Sequence, residues 1–247
     1  MARLVLIRHG QASYGQVDYD RLSPKGEQQA RVLGAHLATL KLDALYVGPL
    51  RRQQQTAALA AEGAGAAAQS AAGSTVAAAA QAPAPLPTAE TLPELAEYPA
   101  FDLVTKFLPK LVAEDAAFAA LPTAPTRELA DRAFHRILHA WSRDEWQLEG
   151  VERVTEFAAR VKAGLERAML GGRSVGVVTS AGPIGVALGL VFGTDEHRMV
   201  RTSVVVRNAS ITELVYRSKT FAWHPEQVSL LSFNSVGHLP PELHTEY

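Results

Sequence analysis

Near the start of the chain, Arg8, His9 and Gly10 follow a short apolar run from Leu4 to Ile7. A guanidinium can fork two donors onto the oxygens of an anion, neutral imidazole is an able nucleophile, and glycine lets an anion approach the backbone. A second cationic pair opens the stretch Leu50-Arg51-Arg52-Gln53-Gln54-Gln55-Thr56-Ala57, just after Gly48-Pro49. If a helix begins there, its unpaired N–H groups and dipole also favour an anion; consecutive helical residues diverge, so at most one of the two arginines need face a pocket. A third polar cluster, Thr179-Ser180-Ala181-Gly182, ends another apolar run. Gln11, Ser13 and Arg21 are loop polar residues that could line the mouth of such a site.

These clusters need elements to position them. Leu4 to Ile7, Leu42 to Val47 and Ser174 to Thr179 read as buried strands, each delivering polar groups at its C-terminal edge. Helices are expected from Lys25 to Leu40, where Ala30, Leu33, Leu37 and Leu40 recur at helical spacing behind Ser23-Pro24, from Leu50 to Glu62, and from Ile184 to Phe192. Val151 to Leu170 is amphipathic, with Val154, Phe157, Val161, Leu165 and Met169 along one face. Thr202 to Val206, Ile211 to Tyr216 and Val228 to Phe233 read as short strands, the first two spaced to pair as a hairpin. Apolar strands alternating with amphipathic helices predict an α/β fold: a three-layer, doubly wound, mostly parallel or mixed sheet with helices on both faces. Ligands of such sheets sit beyond the carboxyl ends of the strands.

The chain's 247 residues suit one domain over residues 1–247, and 47% hydrophobic with 20% charged residues is ordinary globular composition. Ala57 to Ala82 holds 15 alanines in 26 residues, which inflates the apolar fraction without large core side chains. With Gly63, Gly65, Gly73 and Pro83, Pro85 and Pro87 punctuating it, the region from about 63 to 90 reads as a flexible excursion. Residues from about 100 to 150, bearing Phe107, Phe118, Trp141 and Trp146, read as a helical insertion covering the site. Lys and Arg number 24 against 25 Asp and Glu, so no extended basic face advertises nucleic acid as a partner. No long apolar window or signal-like N-terminus stands out and cysteine is absent, so a cytoplasmic chain without a membrane partner or thiol chemistry is expected. His135 and His139 lie four apart but lack a convincing third ligand, so no metal site is expected.

Arg8-His9-Gly10, then L-S-x-x-G-x-x-Q-A at Leu22 to Ala30 and L-x-R-x-x-Q-T-A at Leu50 to Ala57, together resemble the histidine phosphatase superfamily, which includes cofactor-dependent phosphoglycerate mutases and many phosphomonoesterases. The resemblance runs from Leu4 to the Asn208-Ala209-Ser210-Ile211 stretch and is weakest over 63–90 and about 100–150. It implies a phosphoglycerate mutase-like fold and hydrolysis of a small phosphorylated substrate, with neither metal nor cofactor. It implies that His9 becomes a transient phosphohistidine, that Arg8 and Arg52 bind phosphoryl oxygens, and that Glu94 is the acid, with Glu97 as the fallback.

One departure stands out. Where the family usually has a histidine followed by glycine, this chain has Ser180 and then Ala181. A hydroxyl donates one hydrogen bond to phosphate but cannot become cationic near neutral pH, so weakened or altered activity is expected. Mutase-like transfer between phosphoglycerates and a catalytically impaired phosphate-ligand or protein-binding module are the alternatives, and a homodimer is compatible with the sequence.

Overall fold

The central strand β1 (Ala2–Arg8) divides the core by alternation: Leu4 and Leu6 pack on one face of the sheet, Val5 and Ile7 on the other. The computed structural model describes residues 1–13, 20–72, 83–217, 223 and 226–245. On one side β1 pairs in parallel with β4 (Ser174–Thr179), which continues in parallel to β2 (Ala44–Val47) and β3 (Ala89–Thr91). On the other side β5 (Ile211–Tyr216) is antiparallel to β1 and to the edge strand β6 (Val228–Ser235). The order β3-β2-β4-β1-β5-β6 is thus a mixed sheet, within the expected class.

Helices α1 (Pro24–Leu37) and α2 (Arg51–Ala72) cover the Val5/Ile7 face, with Leu33, Leu37, Ala57 and Ala60 in its core. The opposite face carries α3 (Ala100–Glu114), α4 (Arg127–Ser142), α5 (Val154–Met169), α6 (Ala181–Phe192) and α7 (Glu196–Ser203). Phe107, Trp141, Phe157, Ile184 and Met199 form the centre of that larger core. Among the described residues no helix is long and apolar enough to cross a membrane.

Two expectations are corrected. The excursion expected from residue 63 does not begin there, because α2 continues through Gly63 and Gly65 to Ala72; residues 73–82 lie outside the described residues, and β3 occupies the end of the expected span. The helix runs through both glycines, and Gly63 is a contact surface: a Cβ there would stand 2.1 Å from Arg31 O of α1. Reciprocally, a Cβ on Gly34 of α1 would stand 2.0 Å from Ala60 O of α2. The alanines and glycines let two helix backbones approach closely, which the composition alone does not reveal.

The second correction concerns Thr202 to Val206. Its first two residues end α7 and the rest form a turn and loop, so the expected hairpin does not form; β5 pairs with β1 and β6. Asp195 caps α7 by accepting from Arg198 N at 2.8 Å, and Met199 packs against Gly185 and Gly189 of α6. Cap and packing override the β-branched preference of the run.

In an exposed helix interior, replacing glycine normally stabilises. At Gly34 the sign reverses: Gly34→Val is expected to destabilise by about 1–3 kcal/mol through overpacking against α2. Urea unfolding monitored by circular dichroism checks this, and a stabilised variant would contradict the close crossing.

Candidate active site

The site is built where β1 and β4 end side by side. Their last registered pair is Arg8 with Thr179, and His9 N donates to Thr179 O at 2.9 Å. His9 O in turn accepts from Ala209 N, so the nucleophile candidate is gripped by the end of β4 and by the turn leading into β5. Gly10 N donates to Thr56 Oγ1 on α2 at 3.1 Å. Gly10 also meets α1 closely: a Cβ there would lie 2.5 Å from Gly26 O, so the missing side chain serves this contact.

Hydrogen bonding assigns the tautomer of His9. Nδ1 lies 2.7 Å from Gly10 O, a pure acceptor, so Nδ1 carries the proton and donates. The lone pair is therefore on Nε2, which accepts from Arg52 Nε at 3.0 Å. His9 is 5% exposed. Burial first, then the positive charges of Arg52 and Arg8, hold its pKa well below the usual 6.5, against a smaller opposing effect of the Gly10 carbonyl. A buried, neutral imidazole between two guanidinium groups is the outcome.

Each arginine is held by oxygen. Arg52 Nη1 contacts Asp20 Oδ1 at 2.6 Å, and the same carboxylate accepts from Arg51 N at the start of α2. Arg51 itself is exposed, so only Arg52 enters the cluster. Arg8 Nη1 donates to Val206 O, in the loop leading to β5.

Ser180 is the residue just before α6 and is fully buried. Gln53 Nε2 donates to its Oγ at 2.8 Å. Gln53 sits one residue after Arg52 and is also fully buried.

The two candidate acids take different directions. Glu94 lies in a 3-10 turn (Pro93–Leu95), with its Cβ against Gly164 of α5 and its carboxylate 3.9 Å from Arg167. Glu97 turns instead to α6: its Oε2 accepts from Gly182 N at 3.0 Å and its Oε1 from Tyr98 N at 3.1 Å. Burial raises the Glu97 pKa, opposed by the Gly182 N–H, Arg52, the Tyr98 N–H and Arg8. Glu97 thus senses both site arginines, whereas the Glu94 carboxylate lies toward Arg167 of α5. Arg160 pins this segment by donating to Glu94 O at 2.7 Å and Ala96 O at 3.0 Å, while pairing with Glu152. Behind it, Tyr98 meets Trp141 at a tilt and Phe157 edge to face.

The remaining mouth residues serve the loop. Gln11 N donates to Gln29 Oε1, and Gln11 Oε1 accepts from Ser23 Oγ. Ser13 Oγ donates to Leu22 O, and Arg21 is exposed. Ala181 is the first residue of α6 and is half-buried. Among the described residues no group of His, Asp and Glu side chains could hold a metal ion. A surface cleft of about 900 Å³ between Phe118 and Arg136 belongs to α3 and α4 and contains none of these residues.

The histidine phosphatase superfamily (branch 1) model matches residues 4–73 and 115–226. The chain belongs to the histidine phosphatase superfamily. A mycobacterial glucosyl-3-phosphoglycerate phosphatase solved with inorganic phosphate is similar in fold, with a TM-score of 0.60 and 20% identity over 97% of this chain and 100% of that one. YhfR of Bacillus stearothermophilus gives 0.63 and 16% over 96% of this chain and 99% of that one. Wheat (Triticum aestivum) 2-carboxy-D-arabinitol-1-phosphatase is 38% identical over 64 residues, spanning only 23% of this chain and 13% of that protein.

For this histidine phosphatase chain, the family match covers Arg8, His9, Arg52 and Ser180 but omits the segment holding both acids. Geometry must therefore choose between Glu94 and Glu97. Sequence reading missed Gln53, Thr56, Asp20 and Arg160 as site-supporting residues. The hint was available for Gln53, a polar residue beside Arg52, but its depth of burial was not.

The His9 environment has a pH consequence. Its folded pKa is lowered, so the unfolded chain takes up a proton first as pH falls. The stability contributed is fully present above the ordinary value near 6.5 and is lost as pH drops toward the folded value. Nitrogen-15 NMR should find Nδ1 protonated and Nε2 bare at pH 8, with that tautomer persisting below pH about 6.5. An imidazolium at neutral pH would contradict the assignment.

Proposed function

We propose that this chain hydrolyses phosphomonoesters of a small phosphorylated substrate through a phosphohistidine on His9. The observation that carries the reading is the neutral His9 imidazole, with its lone pair on Nε2 and the Arg52 guanidinium bound to that same atom. A phosphoryl oxygen arriving at this position would take over the Arg52 donor and expose Nε2 to phosphorus. The family membership and the named phosphatases among the similar proteins support the same chemistry.

In the first step the Nε2 lone pair forms a bond to phosphorus while the ester P–O bond breaks. The leaving alkoxide takes the proton of Glu97, whose burial-raised pKa favours the protonated acid. Arg8 and Arg52 hold the charge on the equatorial oxygens, and Ser180 supplies a neutral donor. In the second step Glu97, now a carboxylate, accepts a proton from water as the water oxygen attacks phosphorus. The N–P bond breaks, inorganic phosphate leaves, and Nε2 recovers its lone pair. The helices α3 and α4 form the covering segment on this reading, connected to the acid by the contact of Trp141 with Tyr98.

His9→Ala should abolish turnover and the acid-labile phosphoenzyme while leaving the circular dichroism spectrum unchanged. Glu97→Gln should lower kcat on an alkyl phosphate by about 100-fold or more, and far less on p-nitrophenyl phosphate, whose leaving group needs no proton. Glu94→Gln should change neither ratio appreciably. The reverse ranking of the two glutamates would return the acid role to Glu94, and turnover by His9→Ala would refute the nucleophile.

A further inference from the structure

The geometry points to Gln53 as a positioning residue that aims the Ser180 hydroxyl at the phosphoryl group, the two side chains together forming one neutral donor. This inference rests on the phosphohydrolase reading above and deepens it.

The amide of Gln53 can adopt only one orientation. Its Oε1 accepts from Leu50 N at 3.0 Å, and a backbone N–H can only donate. Its Nε2 donates to Leu95 O at 3.3 Å, and a carbonyl can only accept. These two contacts remove the ambiguity between amide nitrogen and oxygen. The contact with Ser180 Oγ at 2.8 Å must then be Nε2–H donating to the hydroxyl oxygen.

A hydroxyl whose oxygen already accepts still has one proton to give. Among the described residues no protein group accepts that proton, and Ser180 makes no side-chain cap to α6. Its burial is complete, so bulk water is not an easy substitute. The direction left for the proton follows from the sheet. Arg8 and Thr179 are the last registered partners on parallel strands, and His9 and Ser180 each follow by one residue, so continuing the alternation sends their side chains off the same side of the sheet. The O–H therefore has the phosphoryl position beside His9 as its natural acceptor.

Chemically, Gln53 donation polarises the hydroxyl and makes it a better donor. Gln53 also fills the buried volume between Gly48, Leu95 and Ser180, so Ser180 is held by a rigid amide instead of rotating freely. Because Gln53 follows Arg52 on the first turn of α2, one helix end supplies both a guanidinium to the nucleophile and the amide behind the hydroxyl.

A double-mutant cycle read by orthovanadate affinity, with kcat measured alongside, tests the pairing. Ser180→Ala and Gln53→Met should each weaken vanadate binding roughly 10- to 100-fold, since a hydrogen bond to a charged oxygen is at stake. The double variant should bind within about threefold of Ser180→Ala, because Gln53 acts through the hydroxyl. Gln53→Asn keeps an amide but shortens its reach, and must show the same coupling; it also covers the case in which Gln53→Met fails to fold, as judged by thermal melting.

Equal losses from the Gln53 substitutions with or without the serine hydroxyl would make Gln53 merely structural and overturn the inference. Wild-type affinity in Gln53→Met would do the same. These outcomes leave the phosphohydrolase reading standing, provided wild-type protein binds vanadate. Wild-type protein that binds neither vanadate nor inorganic phosphate would instead defeat that reading and this inference together.

Discussion

Keeping an imidazole neutral between two guanidinium groups is the condition on which the site depends. Burial alone would lower the His9 pKa, and Arg52 and Arg8 push in the same direction. The arginines are themselves costly to bring together, and each is compensated by a different oxygen: the Asp20 carboxylate for Arg52 and the Val206 carbonyl for Arg8.

Such a cluster requires a stiff backbone beneath it. The loop after β1 is held by Thr56 from α2 and by the close meeting of Gly10 with Gly26 of α1. Gln29 extends the support: its Oε1 accepts from Gln11 N, while its Nε2 donates to Leu243 O at 2.6 Å and Thr245 Oγ1 at 2.8 Å. A buried amide thus ties the loop after β1 to Leu243 and Thr245. Thr245 also donates to Asn208, next to the Ala209 that grips His9 O. The close α1–α2 crossing matters for the same reason, since α1 carries Gly26 and Gln29 while α2 carries Arg52, Gln53 and Thr56.

What was legible in the sequence was whatever local pattern dictates. The apolar runs before Arg8 and Thr179 announce strand ends, and Ser23-Pro24 announces the start of α1, where Ser23 Oγ indeed accepts from Gly26 N. What was not legible depended on partners distant in the chain. Glu94 and Glu97 have similar surroundings in sequence, but Gly164 of α5 draws one side chain aside and the start of α6 captures the other. Gly63 reads as a helix breaker until Arg31 O is placed against it. The valines after Ser203 read as a strand until α7 is seen packed on the glycines of α6.

The serine at position 180 then becomes intelligible together with Glu97 rather than alone. Glu97 sits against the N-terminus of α6, where the Gly182 N–H and the helix dipole favour the carboxylate. Arg52 and Arg8 favour it as well, yet burial prevails and the pKa is raised. A cationic imidazole immediately before α6 would add a further positive charge close to this balance and press the acid toward its ionised form. Ser180, whose oxygen accepts from Gln53, would on the proposed reading offer its proton without that charge. On the proposed mechanism, the chain gives up some stabilisation of the phosphoryl oxygens and avoids a charge that would oppose protonation of Glu97. On that reading Ser180 and Glu97 are parts of one electrostatic compromise, in which the burial of Glu97 outweighs the groups that favour its carboxylate.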